Sequence, residues 1–312
     1  MTFTKLDLNE FFTAKASKRR QLASEIDTIC KKTGFLFVSG HGVPHDIIEK
    51  QWQAVSSFFS QPPNIKAKVS VPYPGYPYGW IEPNNEALAA SRGMKTPPDL
   101  KESFNGGPLN VPLGILDQKA YEFCYQPTPF PEVEGFEEAW ISYYHEMEKL
   151  AERLMEVFAE ALDLDTNYFK DFIRHPISAL RALNYPQTNN IKLTDQQRAG
   201  AHTDYGSITI LLPDASSSGL QIFSDKKWID VPPLDDCFIV NIGDLMELWT
   251  SKRWVSTLHR VVAKPNQTQR LSLAFFHQPD WDAEIKPIFN CQESKSVLSG
   301  PYLMNKFLSA TK

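Results

Sequence analysis

Two histidines and one aspartate are the first residues whose types and spacing could do chemistry. His202 and Asp204 are separated by one residue. On an extended backbone both side chains point to the same side, so an imidazole and a carboxylate could chelate one metal ion. His259 lies in a second predicted strand, and two histidines with one carboxylate leave three metal positions open. That set suits non-haem Fe(II) and oxygen, although a zinc hydrolase could use it and both histidines could be core residues.

Arg270 and Ser272 form a second candidate group, at the start of an apolar segment. As strand residues two apart they share a face, and an inward-pointing arginine needs an anionic partner. The segment 264–269 predicts a turn that pairs this strand with that of His259. Four strand residues span roughly 13 Å between Cα atoms, and the arginine side chain would reach back along that distance, which leaves room for a short dicarboxylate between guanidinium and metal. A salt bridge to a protein acid is the alternative reading.

The elements that must position these residues are short strands. From residue 177 onward, apolar and polar residues alternate in segments separated by turns, which is typical of an antiparallel sandwich or barrel. The candidate strands are residues 178–185, 206–212, 219–223, 227–231, 236–242, 254–263, 270–277 and 284–288. The segment 187–200 is polar and predicts a loop.

The first half of the chain is predicted to be mainly helical. Helical spacing covers residues 17–33, a glycine-bounded apolar strand follows at 34–43, and the clearest apolar stripe predicts a long helix at 134–162. The segment 71–130 is rich in proline, tyrosine and glycine and predicts either a covering lid or an irregular surface segment. The aromatic stretch near 73–80, which includes Trp80, and the pair Phe275 and Phe276 are candidates for the substrate wall from their position and aromatic content.

Composition excludes several classes of protein. The chain has 312 residues, 42% hydrophobic, and a formal net charge of −5, which argues against a nucleic-acid binder with a broad basic face. Its four cysteines are widely spaced, which fits reduced thiols in a cytoplasmic protein. The N-terminal residues do not form a signal peptide, and no apolar run is long enough to span a bilayer. We therefore expect a cytoplasmic protein without membrane or nucleic-acid partners; the oligomeric state stays open.

The order of these motifs resembles the iron- and 2-oxoglutarate-dependent dioxygenases, and within them the isopenicillin N synthase-like branch. His202, Asp204, His259, Arg270 and Ser272 occur in that family's order. The other similar segments are residues 34–43, 99–103, 201–209, 219–221, 241–244 and 256–261. The resemblance spans nearly the whole chain and implies a mainly β fold with flanking helices around a distorted double-stranded β-helix, or jelly-roll.

The resemblance also implies roles for individual residues. His202, Asp204 and His259 would be the iron ligands, and Arg270 and Ser272 would bind the distal carboxylate of 2-oxoglutarate. Tyr185 falls where the family often places a tyrosine that contacts the cosubstrate. Many relatives have a second tyrosine directly before it, where this chain has Asn184.

The resemblance implies one structural unit over residues 1–312. An N-terminal region (1–125) and the helix 134–162 would support a catalytic core at 176–281. The expected reaction is oxidation of a small organic substrate, hydroxylation by default, with molecular oxygen consumed and succinate and carbon dioxide released. An iron oxidase that uses no 2-oxoglutarate, a zinc hydrolase and a non-catalytic binding barrel are the alternatives. Nucleic-acid demethylation is disfavoured by the acidic balance and by Ser272 standing where another arginine would be expected.

Overall fold

The computed structural model describes residues 3–73, 75–94, 96–114, 117–187, 196–214, 218–263, 267–289 and 295–310. The α-helices are α1 (Leu8–Thr13), α2 (Ala16–Lys32), α3 (His45–Phe59), α4 (Pro63–Lys66), α5 (Gln118–Cys124), α6 (Phe136–Ala161), α7 (Asp244–Trp249) and α8 (Ser299–Ala310). Within these residues, none of the helices is both long and apolar enough to cross a membrane.

Fourteen strands are described, and they form two facing sheets and one small hairpin. The strands are β1 (Lys5–Asp7), β2 (Phe35–Ser39), β3 (Gly79–Ile81), β4 (Glu102–Gly106), β5 (Ala179–Tyr185), β6 (Ala199–His202), β7 (Ile208–Pro213), β8 (Leu220–Ser224), β9 (Lys227–Asp230), β10 (Phe238–Ile242), β11 (His259–Val261), β12 (Arg270–His277), β13 (Glu284–Ile285) and β14 (Val297–Leu298). The larger sheet has the order β1-β2-β10-β7-β12-β5-β4-β3, the smaller β6-β11-β8-β9, and β13 pairs with β14.

The period-two alternation of β5 and β12 divides the larger sheet into two faces. Leu180 and Phe275 belong to the large core between this sheet and the helices, where the Phe275 ring meets that of Tyr144 on α6. Leu183 and Ala274 belong to a smaller cluster that faces the other sheet. Each strand therefore has one side for helix packing and one for the barrel interior.

The long helix α6 supports the larger sheet from outside. Its apolar stripe, predicted over 134–162, is buried along Phe136–Ala161. Packing a helix of this length on one sheet face leaves the opposite face free to enclose the barrel interior. The fold is a jelly-roll-type double-stranded β-helix with flanking helices, as predicted.

The structure differs from the sequence-based expectations in three places. The segment 71–130 contributes β3 and β4 to the edge of the larger sheet rather than only a lid or surface segment. The predicted loop 187–200 ends in β6, which begins at Ala199. Strands β11 and β12 do not pair: β11 lies between β6 and β8, and β12 lies between β5 and β7. Residues 264–266 of the predicted turn lie outside the described residues.

Candidate metal and cosubstrate site

The structure brings His202, Asp204 and His259 together. His202 ends β6 and is the register partner of His259 on β11, while Asp204 follows directly after β6. Asp204 Oδ1 lies 3.8 Å from His202 Nε2 and 3.7 Å from His259 Nε2. One ligand atom from each residue falls within 4.8 Å of the other two. Two strands from distant parts of the sequence thus present three donor atoms to one point.

Backbone carbonyls fix the orientation and the tautomer of both imidazoles. His202 Nδ1 lies 2.7 Å from the Gly200 oxygen, and His259 Nδ1 lies 3.0 Å from the Thr257 oxygen. A carbonyl only accepts, so each Nδ1 carries the proton and each Nε2 keeps a lone pair. Both lone pairs are on the side of Asp204 Oδ1, which is the arrangement that a metal site requires.

Two side chains hold the other oxygen of Asp204. Thr209 Oγ1 donates to Oδ2 over 2.6 Å and Asn241 Nδ2 donates to it over 2.8 Å. Burial favours a higher pKa for Asp204, but the His259 and His202 imidazoles and these two hydrogen bonds together keep its pKa below the ordinary value. The carboxylate is therefore ionised and Oδ1 is left for a ligand. Neither Thr209 nor Asn241 was identified from the sequence as a site residue.

The His202 imidazole is neutral in the folded protein. Burial lowers the pKa of His202 to about 4, the His259 imidazole acts in the same direction, and the Asp204 carboxylate opposes them. Two imidazoles and one carboxylate are a donor set that fits Fe(II) with positions left open.

Arg270 and Ser272 lie side by side on β12, facing the barrel interior. Arg270 is 3% exposed, and its Nε and Nη1 have no hydrogen-bond partner; Ser272 Oγ is likewise buried and unpartnered. In the part of the chain that the structure describes, Arg270 forms no ion pair, so the salt-bridge alternative finds no support. Unpartnered buried donors are costly unless a ligand satisfies them, and these donors fit a carboxylate.

Tyr185 and Asn184 lie on opposite faces of β5. The guanidinium carbon of Arg270 is 4.8 Å from the centre of the Tyr185 ring, in a cation–π contact between register partners. Asn184 faces outward, where its amide donates to Glu102 and accepts from Gln269. The asparagine that departs from the family pattern is thus part of the outer polar network.

A second buried arginine was missed by the sequence analysis. Arg198 lies directly before β6 and is 2% exposed, and its Nη2 donates to the Pro186 and Thr268 oxygens. Its pKa is lowered first by burial and next by the nearby positive charge of Arg270. In the sequence, Arg198 could have been noticed because it lies four residues before His202. It was not considered because the segment 187–200 was predicted to be a loop.

A cavity of about 890 Å³ adjoins the metal motif. Thr203 and Tyr205, the neighbours of Asp204, line it, together with Lys306 of α8. Lys306 Nζ and Thr203 Oγ1 both donate to Asp244 Oδ2, over 2.8 and 3.3 Å. Through Asp244, the C-terminal helix α8 is thereby linked to Thr203, which lies between His202 and Asp204.

The predicted substrate wall is wrong for Trp80 and Phe275. Trp80 is buried in the large core on the helix side of the sheet, where its indole nitrogen donates to Glu102. Phe275 packs in the same core. Phe276 packs against the interior cluster, so its contribution to a substrate wall stays a prediction.

Two family models match the chain. The model of the 2OG-Fe(II) oxygenase superfamily matches residues 176–279. The model of the N-terminal region named for a non-haem dioxygenase in morphine synthesis matches residues 5–133. Together they cover the site and most of the N-terminal part of the chain.

Individual proteins are similar over nearly the full length. The chain is 30% identical to the 2-oxoglutarate-dependent dioxygenase traH of Penicillium crustosum, over 97% of this chain and 91% of that protein. It is 31% identical to the validamycin A dioxygenase of Streptomyces hygroscopicus subsp. limoneus, over 91% and 78%. The crystal structure of a full-length Neurospora crassa protein in complex with alpha-KG and thymine superposes with a TM-score of 0.85 at 27% identity, covering 99% of this chain and 97% of that one.

Proposed function

Because the chain belongs to the 2-oxoglutarate- and Fe(II)-dependent oxygenase superfamily, we propose that His202, Asp204 and His259 hold its ferrous ion. The protein is a 2-oxoglutarate-dependent dioxygenase that uses Fe(II), 2-oxoglutarate and molecular oxygen to oxidise a small organic substrate. The observation that carries the ligand assignment is the convergence of three donor atoms within 4.8 Å. Both imidazoles already have their free lone pairs turned to the carboxylate.

Arg270 and Ser272 would bind the distal carboxylate of 2-oxoglutarate. Their buried donors have no partner in the protein, and a carboxylate is the group that a planar guanidinium and a neighbouring hydroxyl satisfy together. Tyr185 would hold the guanidinium in place through the contact with its ring.

The iron and the cosubstrate, when bound, supply the oxidising power that breaks a substrate C–H bond, and the cosubstrate leaves as succinate and carbon dioxide. The chain's own residues prepare the site for that chemistry. The carbonyls of Gly200 and Thr257 fix the imidazoles, and Thr209 and Asn241 hold one oxygen of Asp204 so that the other stays available. Burial of these groups limits the access of water.

We place the substrate in the cavity of about 890 Å³ beside the metal motif. Thr203 and Tyr205, which flank Asp204 in the chain, line that cavity, so a substrate bound there would lie beside the segment that carries two of the proposed ligands. The reaction proposed is hydroxylation. Replacing Tyr205 by Ala should raise the KM for the substrate without changing the Kd for 2-oxoglutarate; equal changes in both constants would contradict this placement.

Two further features support finer proposals. Among the described residues, Cys30, Cys124 and Cys237 are free and buried, which supports a cytoplasmic location.

Residues 1–125 and the helix α6 are proposed to support the core 176–281 within one structural unit, because one apolar core joins α6 to β5 and β12.

The experiment that tests the function is oxygen uptake by anaerobically purified protein reconstituted with Fe(II) and 2-oxoglutarate, across a panel of small acids and amines. We expect succinate and oxidised product to form in equal amounts, and only with oxygen. The Asp204→Ala variant, which lacks one proposed ligand, is the control and should be inactive. Product without succinate would identify an iron oxidase, and oxygen-independent turnover restored by zinc would identify a hydrolase.

A further inference from the structure

Two buried arginines lie at the same end of the β5–β12 pair: Arg270 is the register partner of Tyr185, and Arg198 donates to the oxygens of Pro186 and Thr268, which are close to that pair in the chain. Arg270 opens β12 and Arg198 directly precedes β6, in the facing sheet, and the two are 3% and 2% exposed. Like charges buried close together repel each other, because water no longer screens them. Such an arrangement is costly in the free protein unless an anion joins it.

The protein itself satisfies only part of Arg198. Nη2 donates to the Pro186 oxygen over 3.1 Å and to the Thr268 oxygen over 2.5 Å, which joins the end of β5 to the segment before β12. Nε is equally buried and has no partner. A purely structural tie would account for the first nitrogen but not for the second.

The charges around Arg198 do not neutralise it. In the described part of the chain, neither Arg198 nor Arg270 forms an ion pair. The carboxylate of Asp214 accepts the backbone N–H of Leu271. The negative charge of Asp214 raises the pKa of Arg198. This effect is smaller than that of burial and that of Arg270, each of which lowers the pKa. Because Arg198 is bonded to residues that flank the Tyr185–Arg270 pair, its unsatisfied charge lies at the same end of β12 as the unpartnered donors of Arg270.

We propose that Arg198 is a second guanidinium of the 2-oxoglutarate site, and that its Nε–H donates to the distal carboxylate that Arg270 and Ser272 bind. This inference rests on the proposed function and adds a residue to it. Arg198 would act on the far end of the cosubstrate only, since its guanidinium tip is held by the two carbonyls. It would therefore strengthen the preference for a dicarboxylate over a 2-oxoacid without the second carboxylate.

The test compares two probes, 2-oxoglutarate and 2-oxopentanoate, which has the same chain length but no distal carboxylate. Binding to Fe(II)-loaded protein is measured without oxygen, by calorimetry and by the charge-transfer absorbance of the complex. The variants are Arg198→Met and Arg198→Lys. Lysine keeps a cation that can reach the Pro186 and Thr268 oxygens but removes the Nε–H. Gln197→Ala, which removes a bond from the adjacent residue to the Ala263 amide, is the matched control.

We expect both Arg198 variants to weaken 2-oxoglutarate binding by about 10- to 100-fold, the range for a hydrogen bond to a charged group, and to leave 2-oxopentanoate binding nearly unchanged. Gln197→Ala should change neither Kd. Equal weakening of both probes, no weakening, or loss of cooperative unfolding in both variants would show a structural tie and overturn the proposal.

The proposed function fails separately from this inference. Wild-type protein that binds both probes equally well would remove Arg270 and Arg198 together from the cosubstrate site. If instead Arg270→Met shows the selective loss and Arg198→Lys does not, only the role of Arg198 is overturned.

Discussion

Two buried cations lie on opposite faces of the sheet around β5, and they differ in whether the protein supplies an acid. On the outer face, Lys66 Nζ lies 2.9 and 2.7 Å from the two carboxylate oxygens of Glu102. The same carboxylate accepts from Trp80 and Asn184, so the outer group is fully hydrogen-bonded. On the inner face, Arg270 has a tyrosine ring against it and two nitrogens without a partner.

The difference distinguishes a buried charge that stabilises the fold, such as Lys66, from a buried charge that binds a ligand, such as Arg270. A buried ion pair that is complete within the protein contributes to one fold and leaves nothing for a ligand. A buried cation without an acid costs stability until a ligand arrives, so it marks a binding site. The chain is rich enough in acids to pair every buried cation, with 37 Asp and Glu against 32 Lys and Arg, yet none forms an ion pair with Arg270 among the described residues.

The largest effect is expected on stability, from Glu102→Gln. Lys66 would remain buried without an anion, which should lower the free energy of unfolding by about 3–5 kcal/mol. Denaturant unfolding measures this loss. The Kd for 2-oxoglutarate should not change. The double variant Lys66→Met/Glu102→Gln is the control and should recover most of the stability, because no buried charge then lacks a partner. A small loss in the single variant would mean that the outer pair does not support the fold.

The second prediction concerns the inner face. Arg270→Met should weaken 2-oxoglutarate binding by about 2–5 kcal/mol, which is tens-fold or more. Its effect on unfolding should be the opposite of that of Glu102→Gln, since removing a cation that has no acid leaves stability unchanged or raises it. Anaerobic titration and denaturant unfolding of the same preparation measure both. An unchanged affinity for 2-oxoglutarate would remove Arg270 from the proposed role and erase the distinction between the two faces.

The third and smallest effect is a pH dependence of stability at a buried group that does have a partner. Ser207 Oγ donates to the His277 oxygen, so His277 Nδ1–H donates to Oγ over 2.8 Å. Burial lowers the pKa of His277 from 6.5 to about 4. In the unfolded chain His277 is therefore protonated below about pH 6.5, whereas in the folded chain it is protonated only below about pH 4. The stabilisation is complete above this window and is lost as the pH falls through it.

For His277 alone, the loss should be about 2 kcal/mol between about pH 7 and about pH 5. Unfolding of metal-free wild type and His277→Asn at both pH values measures it, and the asparagine amide can still donate to Ser207. The variant should show the smaller pH-dependent loss by that amount, with 2-oxoglutarate affinity unchanged. Identical pH dependence in the two proteins would show that folding does not lower the pKa of His277.

The fold could be predicted where a single element carries its own periodic signal. The apolar stripe of α6 and the alternation in β5, β7 and β12 are visible in the sequence because each segment packs one face against a core. Strand β6 is only four residues long and follows a polar segment, so its signal is too short to read. Strands β3 and β4 lie at a sheet edge inside a region rich in proline and tyrosine, and their pairing with β5 decides their conformation.

By itself the sequence determined which chemical groups were available. The His-x-Asp spacing, the later histidine and the Arg-x-Ser pair specify donors whose types already favour iron and a carboxylate, because ligand chemistry is a property of side chains. Only the tertiary structure decided which donors meet and which are already used. It placed β11 and β12 in different sheets, turned Asn184 and Trp80 outward, and brought Arg198 beside Arg270. Those outcomes depend on strand pairing between residues far apart in the chain, which local patterns do not encode.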